Sequence, residues 1–234
     1  MEPRLVLFDI DGTLVDTAGA GRHALVEALR RMYDIDGDVE LSRRVKFEGK
    51  TDPIIVVELA EVFGIETQRV KDQVREFERL YLEILGAILA RPDERRRVLP
   101  GVIPLLDALS ERPDTHVGLL TGNIEAGGRA KLASLDLERY FEAGGFASDH
   151  PDRRVIARIA REKMERSTGL FFDPERTVVV GDTHHDVECA RANGFRVVAV
   201  NSGYVPRETL VAAGPDALFD DLSDLDAVLR ALEV

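Results

Sequence analysis

Four short runs of apolar residues, at positions 5–8, 117–120, 177–180 and 196–200, stand out along the chain. They are rich in Val and Leu and lack the polar alternation of a half-solvated strand. That pattern fits strands buried on both faces of a sheet. Each is followed by Gly, Asp, Thr or Asn, and a weaker fifth run lies at 145–147. Helical patterns at 103–109, 129–135, 155–164 and 185–193 separate the later runs. Strands alternating with helices predict an α/β fold: a parallel sheet core with helices on both faces and right-handed crossovers.

The interval between the first two runs is different, because it holds no convincing strand. Leu25, Ala28, Leu29 and Met32 share one helical face. Thr51-Asp52-Pro53 makes a good helix start, followed by Ile55, Leu59 and Val62. Val70, Val74, Phe77, Tyr81, Ile84 and Ile88 alternate steps of four and three, the seam of one long helix. These patterns predict an all-α domain over residues 16–97, inserted into an α/β core made of 1–15 and 98–234. Pro92 and Pro100-Gly101 mark the return.

Composition narrows the function. Of 234 residues, 44% are apolar and 32% charged, ordinary values for a globular chain. A formal net charge of −12 argues against a nucleic-acid or membrane-surface binder, both of which need a basic face. It leaves room for a small phosphorylated metabolite, which a few local cations can hold. Cys189 is the sole cysteine, so no intrachain disulfide forms, and its setting predicts a packed residue rather than a reactive thiol. Residues 1–11 carry acids where a leader peptide needs its apolar run, and no stretch nears the ~20 residues of a membrane span. The expectation is a soluble, cytoplasmic protein; the sequence leaves its oligomeric state open.

Chemistry concentrates at the strand ends, which is where ligands bind in an open parallel sheet. The first run delivers Asp9-Ile10-Asp11-Gly12-Thr13, the second Thr121-Gly122-Asn123, and the third Gly181-Asp182-Thr183-His184-His185-Asp186. Asp9 and Asp11, two apart on an extended backbone, would project to one side. With Asp182 they make three acids whose mutual repulsion calls for a hard divalent cation, and magnesium suits oxygen ligands. The Thr121 hydroxyl and backbone N–H groups near Gly122 and Asn123 could hold phosphoryl oxygens where a helix begins.

These segments resemble a known family. Phe8-Asp9-Ile10-Asp11-Gly12-Thr13-Leu14-Val15-Asp16 looks like the first motif of the haloacid dehalogenase superfamily of phosphohydrolases. Leu119-Leu120-Thr121-Gly122-Asn123 resembles its second motif and Val180-Gly181-Asp182-Thr183-His184-His185-Asp186 its fourth. The helical insert is similar to the cap of the phosphoglycolate phosphatase and β-phosphoglucomutase branch. The resemblance implies a Rossmann-like core and a magnesium-dependent phosphatase that works through an aspartyl-phosphate. It implies Asp9 as the nucleophile and Asp11 as the general acid and base. Magnesium would rest on the Asp9 carboxylate, the Asp11 backbone carbonyl and Asp182, with Asp186 behind them.

The third motif departs from the family. A lysine is usual before the helix leading to the fourth motif, but here stands Asp149-His150-Pro151-Asp152-Arg153-Arg154. Arg153 is assigned the cation's role, with Arg154 as the alternative, since a guanidinium grips two oxygens and stays charged. Gly49-Lys50-Thr51-Asp52 resembles the cap segment that meets substrate, so Lys50 is a further candidate. The stretch Gly49-Lys50-Thr51 is no P-loop, because Arg44 stands where the first glycine belongs. Roles for His184 and His185 stay open. Two other readings remain beside the phosphatase: β-phosphoglucomutase-like phosphoryl transfer, and a binding or regulatory protein that kept the fold without turnover.

Overall fold

The computed structural model describes residues 2–35, 39–202 and 205–233. Six parallel strands form the sheet: β1 (Arg4–Phe8), β4 (Thr115–Leu120), β5 (Gly144–Gly145), β6 (Thr177–Gly181), β7 (Arg196–Val200) and β8 (Ala217–Phe219). Two short strands, β2 (Val15–Asp16) and β3 (Arg97–Val98), pair antiparallel as a separate ribbon. The helices are α1 (Ala20–Tyr33), α2 (Asp52–Val62), α3 (Thr67–Asp72), α4 (Val74–Leu89), α5 (Val102–Ser110), α6 (Glu125–Ala133), α7 (Arg153–Thr168), α8 (His184–Ala192), α9 (Arg207–Ala213) and α10 (Leu225–Leu232).

The apolar runs behave as sheet centres because both of their faces are covered. In β1, Val6 and Phe8 join a core with Leu105 and Leu109 of α5 and Val228 of α10. Leu5 and Leu7 face the other way, into a core with Ile156 and Ala160 of α7 and Val187 of α8. Successive side chains alternate between two helix layers, so the run must be apolar throughout. Strand order is β5-β4-β1-β6-β7-β8. Counted over the sheet strands alone this is 3-2-1-4-5-6, and its direction reverses between β1 and β6. At such a switch point the loops diverge and leave a crevice. Phe8 is in register with Val180, so the residues that leave β1 and β6 emerge side by side.

Between β2 and β3 the chain builds the helical insert, α1 to α4, around its own apolar cluster of Leu25, Leu29, Leu59, Phe77, Tyr81 and Leu85. The β2–β3 ribbon joins the two crossings, Val15 opposite Val98. Among the described residues, no helix is long and apolar enough to cross a membrane.

Several boundaries differ from expectation for local reasons. The seam at 70–88 is not one helix: it breaks at Gln73, where φ is −108° and ψ 18°, giving α3 and α4. Val74, placed in the seam by its spacing, is consequently exposed. Helix α6 begins at Glu125, four residues before the predicted start, because Gly127 and Gly128 dilute the helical signal there. Strand β8 and helices α9 and α10 were not expected; β8 is a half-buried edge strand whose composition gives little sign of it.

Phe8 is fully buried and sets its ring edge-on to Phe141, 6.2 Å between centroids, one residue before the strand delivers Asp9. Phe8→Ala should cost about 3–5 kcal/mol of stability through lost transfer energy and the cavity left behind. A urea denaturation curve with a lowered midpoint checks this.

Candidate active site

Asp9 leaves β1 and Asp182 leaves β6, with Asp186 one turn further along on α8. All three are buried, and each offers a carboxylate oxygen within 4.8 Å of the other two. Burial pushes Asp9 up to about 6, opposed by Arg153 and reinforced by Asp186. Burial likewise raises Asp182 well above the ordinary carboxylate range, helped by the charges of Asp186 and Asp9. Both shifts disfavour the charged form, first through burial and then through the like charge of neighbouring acids.

Arg153, the first residue of α7, supplies part of that charge. Its Nη2 lies 3.0 Å from Asp9 Oδ2 and 2.5 Å from Asp186 Oδ1, and its Nη1 donates to the Gly49 carbonyl at 3.3 Å. Burial works against the guanidinium charge, but Asp186 and Asp9 outweigh it and hold its pKa well above the usual value. Arg154 is turned to solvent and pairs with Asp152, which caps the helix by accepting from the Arg154 N–H. Of the two arginines, Arg153 is the one at the site. Asp186 is held rigidly: its Oδ2 accepts from the Thr183 N–H (3.0 Å) and hydroxyl (2.7 Å), a capping box on α8.

Asp11 sits where the sequence placed it, yet not as an extended-strand neighbour of Asp9. The backbone turns after β1, with the Leu14 and Val15 N–H groups both donating to the Ile10 carbonyl. The carboxylates that lie closest together are those of Asp9, Asp182 and Asp186, whereas the sequence points to Asp9, Asp11 and Asp182. Asp11 Oδ2 instead accepts from Asn123 Nδ2 at 2.8 Å and from Lys131 Nζ at 2.6 Å. The Thr121 hydroxyl oxygen accepts from the Asn123 N–H (3.3 Å) and Nδ2 (2.8 Å), which leaves its own proton to donate. The expected backbone donors are partly occupied, since the Ile124 N–H is taken by Asp52 Oδ2 at 2.9 Å.

The insert closes over these loops. Asp52 N–H donates to the Gly122 carbonyl at 2.7 Å, and Thr51 Oγ1 donates to the Pro151 carbonyl at 2.9 Å. A side chain at Gly122 would begin 2.2 Å from the Lys50 carbonyl oxygen, so only glycine lets the two backbones meet. Lys50 itself lines the cavity, but its ammonium is held by Glu58 at 2.5 and 2.6 Å. The cleft between core and insert is about 190 Å³, bounded by Asp9, Asp11, Thr121 and Arg153 on the core side and by Arg22, Leu25, Phe47 and Ile55 on the insert. His184 and His185 pack ring to ring, 4.1 Å between centroids, and His185 pairs with Glu188. Cys189 is buried and its thiol is pushed up to about 12 by that burial, as a packed residue would be.

Two site residues escaped sequence reading. Asp52 looked like a helix start, but its buried carboxyl docks on Ile124, and burial raises it to about 6 against the pull of Lys131. Lys131 looked like an ordinary helix lysine. Its one signal is position: it lies four residues after Gly127 and next to Leu132, on the buried face of α6.

Arg153→Ala would leave Asp9 and Asp186 buried beside Asp182 without their shared counter-charge. Breaking a buried pair in this way costs about 3–5 kcal/mol, whereas Arg154→Ala should stay within about 0.5 kcal/mol. Paired urea melts without added metal test the contrast.

Comparison with known proteins agrees with this geometry. The family model described as haloacid dehalogenase-like hydrolase matches residues 3–194. A phosphoglycolate phosphatase of Mesorhizobium japonicum is 31% identical, over 88% of this chain and 86% of its own. The "Probable phosphatase IndB" of Dickeya dadantii is 29% identical over 99% of this chain and 95% of its own. Among solved structures, CbbY from Rhodobacter sphaeroides in complex with phosphate superimposes with a TM-score of 0.72 at 20% identity, covering 99% of this chain and all 100% of that one. The acids at the β1–β6 switch point, the matched family model and the relatives aligned from end to end lead to one conclusion: this chain belongs to the haloacid dehalogenase-like hydrolases.

Proposed function

We propose that the chain is a magnesium-dependent phosphatase that hydrolyses a small phosphate monoester through an aspartyl-phosphate on Asp9. One observation carries the reading: Asp9, Asp182 and Asp186 converge within 4.8 Å at the switch point, with Arg153 bridging two of them. A carboxylate nucleophile divides one hard displacement into two easier ones. In the first, an Asp9 oxygen bonds to phosphorus while the ester P–O bond breaks and Asp11 gives its proton to the departing oxygen. In the second, Asp11 takes a proton from water, the water oxygen bonds to phosphorus, and Asp9 is released. Such acid–base help is worth roughly 10²–10⁴-fold.

The donor set fits a hard cation, being all oxygen and crowded enough that burial and like charge raise Asp9 and Asp182 together. Asp9, Asp182 and the Asp11 backbone carbonyl would hold Mg²⁺, with Asp186 steadying the group from behind. When bound, the ion supplies positive charge for the phosphoryl oxygens. Arg153 and the free Thr121 proton face the same oxygens from the protein side. Residues 16–97 act as a cap, and the cavity beneath them suits a phosphate with a few carbon atoms. Phosphoglycolate, named in relatives, is the first substrate to try, and Lys50 would reach it only by letting go of Glu58.

Turnover of p-nitrophenyl phosphate and phosphoglycolate should require Mg²⁺, and Asp9→Asn should reduce it by at least about 10⁴-fold, since no acyl-phosphate can then form. Near-normal turnover in Asp9→Asn sinks the assignment. The raised acids also set a pH dependence. Because folding raises Asp9 from its ordinary range to about 6, and raises Asp182 as well, the Asp9 contribution is present at low pH and lost as pH climbs through 6. Metal offsets that loss only where the acids are ionised. The gain in melting temperature on adding Mg²⁺ should therefore be larger at pH 7.5 than at pH 5, as thermal scans with Mg²⁺ and with EDTA would show.

A further inference from the structure

Lys131 has no part in the mechanism above, yet its surroundings are costly for a lysine. Among the described residues it is the one lysine that is buried, 4% exposed. An ammonium taken out of water costs several kcal/mol unless its protons find good acceptors. Here they find two at 2.6 Å, Asp11 Oδ2 and Asn123 Oδ1. Asn123 passes its own Nδ2 protons to Asp11 Oδ2 and to Thr121 Oγ1, both at 2.8 Å. The ammonium fixes which end of the Asn123 amide faces it, so donors and acceptors around the ring are all assigned.

The insert leaves room for this arrangement. A side chain on Gly21, in the first turn of α1, would begin 2.8 Å from Lys131 Nζ. A structural strut would be satisfied by any acceptor, but this ammonium reaches two residues that line the phosphate cavity, one of them the acid–base carboxylate. The consequence falls on the two oxygens of Asp11. Oδ2 holds two short hydrogen bonds, whereas Oδ1 has only the Thr17 hydroxyl at 3.5 Å. A carboxylate pinned by one oxygen presents the other in a fixed direction, which is what proton transfer to a leaving group demands.

We propose that Lys131 is a positioning residue for proton transfer: it anchors Asp11 Oδ2 and Asn123 together, so that Asp11 Oδ1 is the oxygen that gives and takes the proton. The inference rests on the acid–base reading of Asp11. In the first step the proton moves from Oδ1 to the leaving oxygen as that oxygen takes the electron pair of the broken P–O bond. In the second, a water proton returns to Oδ1 as the water oxygen bonds to phosphorus and Asp9 is freed. Lys131 keeps its protons throughout.

The role predicts dependence on the leaving group. Phenyl phosphate must expel a basic oxygen that needs a proton; p-nitrophenyl phosphate, of nearly the same shape, expels a stable anion that does not. Measured as kcat/KM with Mg²⁺ at fixed pH, Lys131→Met should lose about 100-fold on phenyl phosphate and less than about 10-fold on p-nitrophenyl phosphate. Asp11→Asn should show the same bias, more strongly. Equal losses on both esters in Lys131→Met, or no loss, while Asp11→Asn keeps the bias, would overturn the role of Lys131 and leave that of Asp11 standing. An unbiased Asp11→Asn would instead bring down the acid–base reading and this inference with it. Should Lys131→Met not fold, Lys131→Gln, which keeps a donor without the charge, serves the same comparison.

Discussion

Carboxylates crowded into a buried space repel one another, and the rest of this structure can be read as what makes that crowding tolerable. Asp9, Asp182 and Asp186 are each buried and share a few ångströms of space. The sheet register forces the first two together, because Phe8 pairs with Val180 and the strands end level. The capping box on α8 fixes the third. Arg153 answers part of the charge, while burial first and the neighbouring acids after it still raise Asp9 and Asp182. The proposed divalent cation would complete that balance, and it would also answer the charge of a phosphoryl group. The arrangement that is unfavourable on its own becomes favourable with ion and substrate in place.

The parts of this plan visible in the sequence are those that depend on local order. An apolar run followed within two residues by an acid declares a buried strand and its outgoing end, so Asp9 and Asp182 are legible in the sequence. The motif resemblance located Asp186, whose backbone position follows from helix geometry. Choosing between Arg153 and Arg154 needed the structure, because adjacent residues at a helix start point in different directions: one is 8% exposed at its side chain and the other 65%. Lys131 and Asp52 were illegible for a deeper reason. A lysine on a helix reads as solvated and an aspartate before proline as a helix start. Only tertiary packing of the insert against α6 turns both inward.

The insert and the sheet divide the work accordingly. The sheet supplies acids held by strand register and helix caps, which are rigid. A short strap of the insert, residues 49–52, is tied to the core by the Asp52 N–H on the Gly122 carbonyl, the Thr51 hydroxyl on the Pro151 carbonyl and the Arg153 guanidinium on the Gly49 carbonyl. Its contribution to the cavity is apolar and cationic, from Leu25, Phe47, Ile55 and Arg22, and is suited to choosing among leaving groups rather than to the phosphoryl chemistry itself. Closure of this kind excludes water from the reacting centre and strengthens the charges there.

The arginine in the third motif fits this division better than a lysine would. An ammonium placed between Asp9 and Asp186 could satisfy both carboxylates, but it is a point charge with little further reach. The guanidinium fork uses Nη2 for the two acids and has Nη1 left for the Gly49 carbonyl in the strap. One side chain thus touches Asp9, Asp186 and the strap of the insert. With the strap in place, the same guanidinium that contacts Asp9 also donates to the Gly49 carbonyl. Opening the strap removes one of the bonds that hold Arg153 in place. Departure from the usual lysine therefore carries a structural consequence: a single planar cation joins Asp9, Asp186 and the strap of the insert.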